Sequence, residues 1–201
     1  TDNPLIFSDE DKIISGGNFH GQPLALVIDF LKISISELGN ISERRTFNLM
    51  SGKRNLPAFL SDNPGLNSGL MILQYTSASL VSANKQFANP SSTDSIISSN
   101  GQEDHVSMGA NGANQLREII LNLYDILAIE LITSTQAKEY IPNKSSGSII
   151  KFINEFRKIV PKIKDDRVLH KDIKKATEFL KNRRVEKLFF WGFWLFFILN
   201  F

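Results

Sequence analysis

Over residues 23–50 apolar side chains recur at three- and four-residue steps: Leu24, Val27, Ile28, Leu31, Ile35, Leu38 and Ile41. That period places them on one face of an α-helix. Pro23 suits the first turn, where its missing N–H would have no partner anyway, and Gly39 interrupts the pattern at modest cost. A helix of about 30 residues is roughly 45 Å long at 1.5 Å per residue. Such a helix is too long for a small compact domain to cover, so it needs partners along its length, from further chain or from other subunits.

Two more segments repeat the theme. Residues 69–88 read as a second helix, with Ser77, Ala78, Ser79, Ser82 and Ala83 at its middle; side chains this small let helix backbones approach closely. Residues 106–140 read as a third, with a stripe of Leu116, Ile119, Ile120, Leu123, Leu127 and Leu131. Shorter amphipathic segments follow near residues 146–159 and 172–181, with Asp172 expected as the N-cap of the last. Residues 1–21, 51–68 and 89–101 are rich in Gly, Pro, Asn and Ser and read as loops. No stretch alternates convincingly as a strand, and no repeat is visible. The expected fold class is all-α: long bundled helices plus shorter carboxy-terminal ones.

A length of 201 residues allows one sizeable domain or part of a larger one, and a 42% hydrophobic content is ordinary for a globular protein. There are no cysteines, which removes disulfides, thiolate metal sites and cysteine nucleophiles and is compatible with a cytoplasmic location. The chain opens without Met on a polar stretch that has no apolar secretory region, so the expectation is a segment of a longer protein. Acidic residues outnumber basic ones over residues 1–150, and basic ones dominate the remainder. Lys158, Lys162, Lys171, Lys174, Lys175 and Lys181 lie among Ile, Phe and Leu at helical spacing and read as solvated helix faces. No nucleic-acid partner is expected from them.

Residues 188–201 differ from the rest. LFFWGFWLFFILNF is a hydrophobic aromatic tail too short to span a bilayer, which needs about 20 apolar residues. Its readings are an interfacial membrane contact, a plug in an oligomer, and a stretch translated out of frame. The expected division is therefore 1–187 as the helical part and 188–201 as an atypical tail.

Two polar clusters sit at helix starts: residues 15–22 (SGGNFHGQ) before the first long helix and residues 102–105 (QEDH) before the third. Helix starts present unpaired N–H groups and favour anionic ligand groups. Read on residue type alone, each cluster has a plain structural alternative: glycines for a turn, His20 and His105 for local hydrogen bonds, Glu103 and Asp104 for capping. His20, His105 and His170 have none of the familiar zinc spacings, so no metal is expected. There is no nucleophile elbow, Walker loop or dinucleotide glycine pattern.

At these clusters the chain resembles a known family. SGGNFHGQPLA (15–25), ISERR (41–45), LPAFL (56–60), SGLMILQYT (68–76) and SNGQEDHVSM (99–108) stand in the order and approximate spacing found in the histidine ammonia-lyases, relatives of the phenylalanine and tyrosine lyases and aminomutases. The resemblance covers roughly residues 1–180. It implies mostly helical homotetramers whose active sites draw on more than one chain. It implies a methylidene-imidazolone electrophile, cyclised from an internal Ala-Ser-Gly, and a tyrosine base. The implied reaction turns L-histidine into trans-urocanate and ammonia. Phe19 matches the family's pocket phenylalanine and Glu103 its active-site glutamate, the expected catalytic residue. Asn18, His20 and Gln102 flank these two and are expected to bind substrate. The phenylalanine lyases place an amide where Glu103 stands, so an acid there favours histidine.

The departures bear on activity. This sequence contains no Ala-Ser-Gly, so the electrophile cannot form within it, and the family's catalytic tyrosines and carboxylate-binding arginine belong to the half that precedes Thr1. Ala83 stands where the family usually has Glu. The segment is expected to be inactive alone and to need a complementing amino-terminal half. Other readings kept open are a phenylalanine or tyrosine lyase or aminomutase segment, and a non-catalytic helical or membrane-associated protein.

Overall fold

The computed structural model describes residues 2–142 and 144–183. A short hairpin of β1 (Leu5–Phe7) and β2 (Lys12–Ile14) opens the described chain, pairing Ile6 with Ile13. Five helices follow: α1 (Gln22–Met50), α2 (Met71–Phe87), α3 (Gly109–Lys138), α4 (Gly147–Arg157) and α5 (His170–Lys181). Pro23 lies in the first turn of α1, as its ring requires. The hairpin departs from the loop expected over residues 1–21. Leu5–Phe7 and Lys12–Ile14 are each three residues long, too short for alternation to show. Asp172 is also placed differently. It lies inside the first turn of α5, behind the cap residue Leu169, and accepts hydrogen bonds from Arg167 at 3.1 and 2.9 Å. Residues 188–201 and the expected boundary at 187/188 lie outside the described residues.

The long helices α1 and α3 run parallel, side by side. Their contacts keep a nearly constant sequence offset: Lys32 meets Gln115 (83 residues apart) and Arg45 meets Glu130 (85 residues apart). Helix α2 runs back between them in the opposite sense, so that Gln74 reaches Glu43 near one end and Ser36 reaches the Asn84 carbonyl farther along. The consequence is topological. The starts of α1 and α3 lie at one end of the bundle, and the loops that precede them meet there.

The seam between α1 and α3 is polar. Lys32 is fully buried; its ammonium pairs with Asp29 at 2.7 Å and donates to the Asn89 carbonyl at 2.7 Å and to Gln115 Oε1 at 2.6 Å. Farther along, buried Glu130 accepts from Ser42 Oγ at 2.5 Å and from Arg45 Nε and Nη2 at 2.5 and 2.9 Å. Beside it, Glu43 pairs with Arg44 and accepts from Gln74 at 2.8 Å. The SERR stretch is thus an ion-paired strut between helices. Each of these buried charges has an opposite charge and further hydrogen-bond partners, the condition under which burial is tolerable.

The apolar side of α1 faces outward. Leu24, Val27, Leu31, Leu38 and Ile41 are all exposed, while Asp29, Lys32, Ser36, Ser42, Glu43 and Thr46 are buried. The stripe read from the sequence is real, but among the described residues most of it lies uncovered, with only Ile28 and Ile35 of the seven half-buried. The apolar core lies instead around the second half of α3, where Ile129, Ile132 and Ala137 pack with Phe152, Phe156 and Val160. Lys158, Lys171, Lys174, Lys175 and Lys181 lie on exposed surface as expected, and Lys162 is half-buried.

The loop over residues 51–70 completes that core with Leu56, Leu60 and Leu70. It carries four non-glycine residues at positive φ, namely Arg54, Asn55, Phe59 and Leu60, a conformation that needs external support. The Asp166 carboxylate supplies it, accepting the Ser68 and Gly69 N–H groups at 2.8 and 2.9 Å. So does Tyr140, whose hydroxyl lies 2.8 Å from Asp62 Oδ1 and 3.1 Å from the Leu60 carbonyl. Burial and the Asp62 carboxylate push the Tyr140 phenol up to about 12.

Two predictions follow from this packing. Burial alone would raise the Asp29 carboxyl, but Lys32 and the Ser92 and Ser91 donors outweigh it and hold the group at about 2, below its ordinary 3.8. A depressed folded value means stability that is complete above the unfolded value and lost as pH falls through about 2. Urea denaturation between roughly pH 5 and pH 2 should therefore show an acid-dependent loss of about 2 kcal/mol that Asp29→Asn lacks. At Gly69, φ is +58° and an added Cβ would lie 2.5 Å from the Phe59 carbonyl oxygen. Gly69→Ala should cost about 3 kcal/mol in the same assay.

Candidate functional site

Two loops converge at the shared start of α1 and α3. In the first, residues 15–21, the turn Gly17–Phe19 closes with the His20 N–H on the Gly17 carbonyl at 2.9 Å. Asn3 ties down its near side, accepting from the Gly16 N–H at 3.0 Å and from Ser15 Oγ at 3.2 Å. In the second, Ser98 and Glu103 exchange backbone hydrogen bonds at 3.1 and 3.2 Å around a tight turn. Ser99, Asn100 and Gly101 in that turn all have positive φ. The Val106 N–H donates to Ser95 Oγ at 2.9 Å, and the Lys32–Asp29 cluster holds residues 89–92 beneath it: Ser92 N–H donates to Asp29 at 2.7 Å, and Gln22 donates to the Ser92 carbonyl at 2.7 Å.

Close approach of the two helix starts depends on small residues. A Cβ on Gly21 would lie 3.2 Å from Ser107 Oγ, and one on Gly109 would lie 3.3 Å from the same atom and 3.4 Å from the Ala25 methyl. The two contacts with Ser107 Oγ are tighter than most such contacts, so that atom would have to give way, while the one with Ala25 is at the edge of ordinary packing. The loops are joined by His20, whose Nε2 lies 2.8 Å from the His105 carbonyl oxygen and whose ring stacks on that of His105 at 5.1 Å and 16°.

The result is an open cavity of about 370 Å³ lined by Phe19, His20, Leu24, Glu103, His105 and Ser107, among others. Of the residues singled out from the sequence, Phe19, His20 and Glu103 come together here across 84 residues of chain. Asn18 and Gln102 sit in the same two loops but outside the lining. The sequence reading took Gly21 only as a turn glycine, gave Ser107 no role of its own and missed Gly109; the signal for them was the run of small residues at each helix start. Phe19 lines the cavity and is half exposed, which gives the cavity an aromatic wall. The Glu103 carboxylate supplies an acceptor on the opposite loop. Chemically, the arrangement can hold a small planar molecule against Phe19 while a carboxylate takes a hydrogen bond from its N–H groups.

Parallel long helices with outward apolar faces, and a pocket built from two loops at their common end, define the class: a segment of a helical-bundle protein whose site opens at its surface. The family model described as aromatic amino acid lyase matches residues 1–158, and the chain belongs to that family. It is 55% identical over 183 residues to the histidine ammonia-lyase of Bacillus subtilis, covering 90% of this chain and 36% of that protein. The crystal structure of histidine ammonia-lyase from Trypanosoma cruzi superposes with a TM-score of 0.86 at 44% identity, covering 90% of this chain and 37% of the other. The tyrosine aminomutase of Streptomyces globisporus matches with a TM-score of 0.85 at 34% identity, covering 89% of this chain and 35% of that one. The chain thus spans little more than a third of the length of these relatives.

If small residues at the helix starts set the cavity, enlarging one should loosen both loops and leave the distant core intact. Gly109→Val should cost about 2 kcal/mol by overpacking. Amide hydrogen exchange should speed up over residues 18–22 and 99–107 and stay unchanged over residues 150–180.

Proposed function

We propose that this chain is the segment of a histidine ammonia-lyase that supplies the Phe19 and Glu103 side of the active site. The whole enzyme removes ammonia from L-histidine, the α-ammonium and a β-proton leaving to give trans-urocanate. The observation that carries this reading is the meeting of Phe19 and Glu103 in one cavity, with a carboxylate where the apolar-substrate lyases carry an amide. Glu103 accepts a hydrogen bond from the imidazole N–H or the ammonium of the substrate, favouring its charged form. Phe19 offers its exposed face to planar groups and keeps water from that side.

The methylidene-imidazolone of the family, which when present supplies the electrophile that makes ammonia a feasible leaving group, arises from an Ala-Ser-Gly that this sequence lacks. The residues present fit such a group: the cavity is open to a further segment and is lined by the half-exposed Phe19 and by Glu103. A second chain or chain segment has to contribute it. The exposed apolar faces of α1 supply the area for that association and for the homo-oligomer of the family, a tetramer.

Two arms test the proposal. Ultraviolet detection of urocanate should show no turnover by this chain alone and clear turnover when it is co-folded with an amino-terminal half that carries Ala-Ser-Gly. Turnover by the isolated chain, or silence of the mixture with both halves soluble and helical, would overturn it. In the active mixture, Glu103→Gln should shift preference away from histidine toward an apolar aromatic substrate. A cost of about 2 kcal/mol in kcat/KM for histidine is expected from loss of the charge-assisted bond.

A further inference from the structure

We propose that His20 is a positioning residue: its neutral ring fastens the Phe19 loop to the Glu103 loop and holds no substrate. The assignment follows from what each partner atom can do. The His105 carbonyl oxygen, 2.8 Å from Nε2, can only accept, so Nε2 carries the proton. The Gln22 backbone N–H, 3.2 Å from Nδ1, can only donate, so Nδ1 is bare. Of the three protonation states of an imidazole, the neutral Nε2–H tautomer alone satisfies both bonds. Each ring nitrogen is then occupied, and neither is left to bind a substrate or move a proton.

The two bonds do separate jobs. Gln22 is the first residue of α1, and its N–H belongs to the group of donors that a helix start leaves without intrahelical partners. Through Nδ1 the ring therefore caps α1 from one residue before its N-cap, Gly21, which has no side chain to do so. Through Nε2 it crosses 85 residues of sequence to the carbonyl two positions beyond Glu103. That carbonyl belongs to the peptide that follows the Ser98–Glu103 backbone closure and whose Val106 N–H is held by Ser95. The His20 ring also stacks on that of His105, a second contact between the two loops. Phe19 precedes His20 directly, so the ring ties the loop that carries the apolar wall to the loop that carries Glu103.

This inference rests on the lyase reading for its kinetic arm only, and its spectroscopic arm stands without it. Long-range proton–nitrogen correlation of the full chain labelled with nitrogen-15 histidine, assigned with His20→Gln, reads the protonation of each ring nitrogen at neutral pH. One unaveraged Nε2–H pattern for His20 is expected. An Nδ1–H pattern, exchange between tautomers, or a doubly protonated ring would overturn the proposal. In the co-folded lyase, His20→Ala should lower kcat roughly tenfold to a hundredfold through misplaced groups, with KM within about threefold. His20→Gln, whose amide N–H can reach the same carbonyl, should recover most of that loss. A raised KM at unchanged kcat would mark His20 as a substrate ligand and overturn the proposal, as would full activity of His20→Ala. If the unsubstituted mixture makes no urocanate, the lyase reading has failed, and the nitrogen spectrum still decides the role of His20.

Discussion

The buried ammonium of Lys32 and the buried carboxylate of Glu130 fix how α1 lies on α3, and everything else in the bundle depends on that register. A greasy seam between two long helices would tolerate sliding, because apolar contacts are not directional. Charges buried against specific partners do not tolerate it: a shift of one turn would leave an uncompensated charge in the interior at a cost of about 3 kcal/mol or more. Lys32 meets Asp29, the Asn89 carbonyl and Gln115 at once, and Glu130 receives a two-pronged bond from Arg45. One register satisfies both clusters, and it is the register that sets Phe19 level with Glu103.

The polar seam also accounts for the outward apolar face of α1. A helix has one circumference, and polar positions turned toward α2 and α3 leave the apolar ones for other neighbours. The core of the chain is correspondingly displaced to the far half of α3, under α4, α5 and the loop over residues 51–70. The site end carries little apolar packing of its own. It is held by hydrogen bonds to Asn3 and Ser95 and from Gln22 and His20, and such an arrangement accepts reinforcement from whatever packs on α1.

Much of this was legible in the sequence. Helix positions followed from periodicity, to within a few residues at each end, because the runs are long and their breaks hold Gly, Pro and Asn. The pairing of Phe19 with Glu103 followed from resemblance alone. Spacing does not reveal that two loops 84 residues apart meet, since this requires the parallel register, and Lys32 and Glu130 look like ordinary surface charges in a helical pattern. The hairpin escaped notice because a three-residue strand has no period to read. The placement of Asp172 escaped because a carboxylate three residues into a helix and one at its cap leave the same local signature, and Arg167 decides between them only in space. The engagement of both His20 nitrogens belongs to this group, as it depends on a carbonyl that has no identity in the sequence.

The parallel seam carries a consequence for how the chain can vary in length. Each residue of an α-helix advances about 100° around its axis. A single residue inserted into α1 between Gln22 and Asp29 would keep the buried charges in place and rotate everything before them by that angle, carrying Phe19 off the cavity while Glu103 stayed put. The same insertion beyond Glu130, or in the loop over residues 51–70, would leave the angle between the two untouched. Between the site and its first buried charge the helix acts as a phase-locked shaft, in which length is fixed to the residue by rotation rather than by reach.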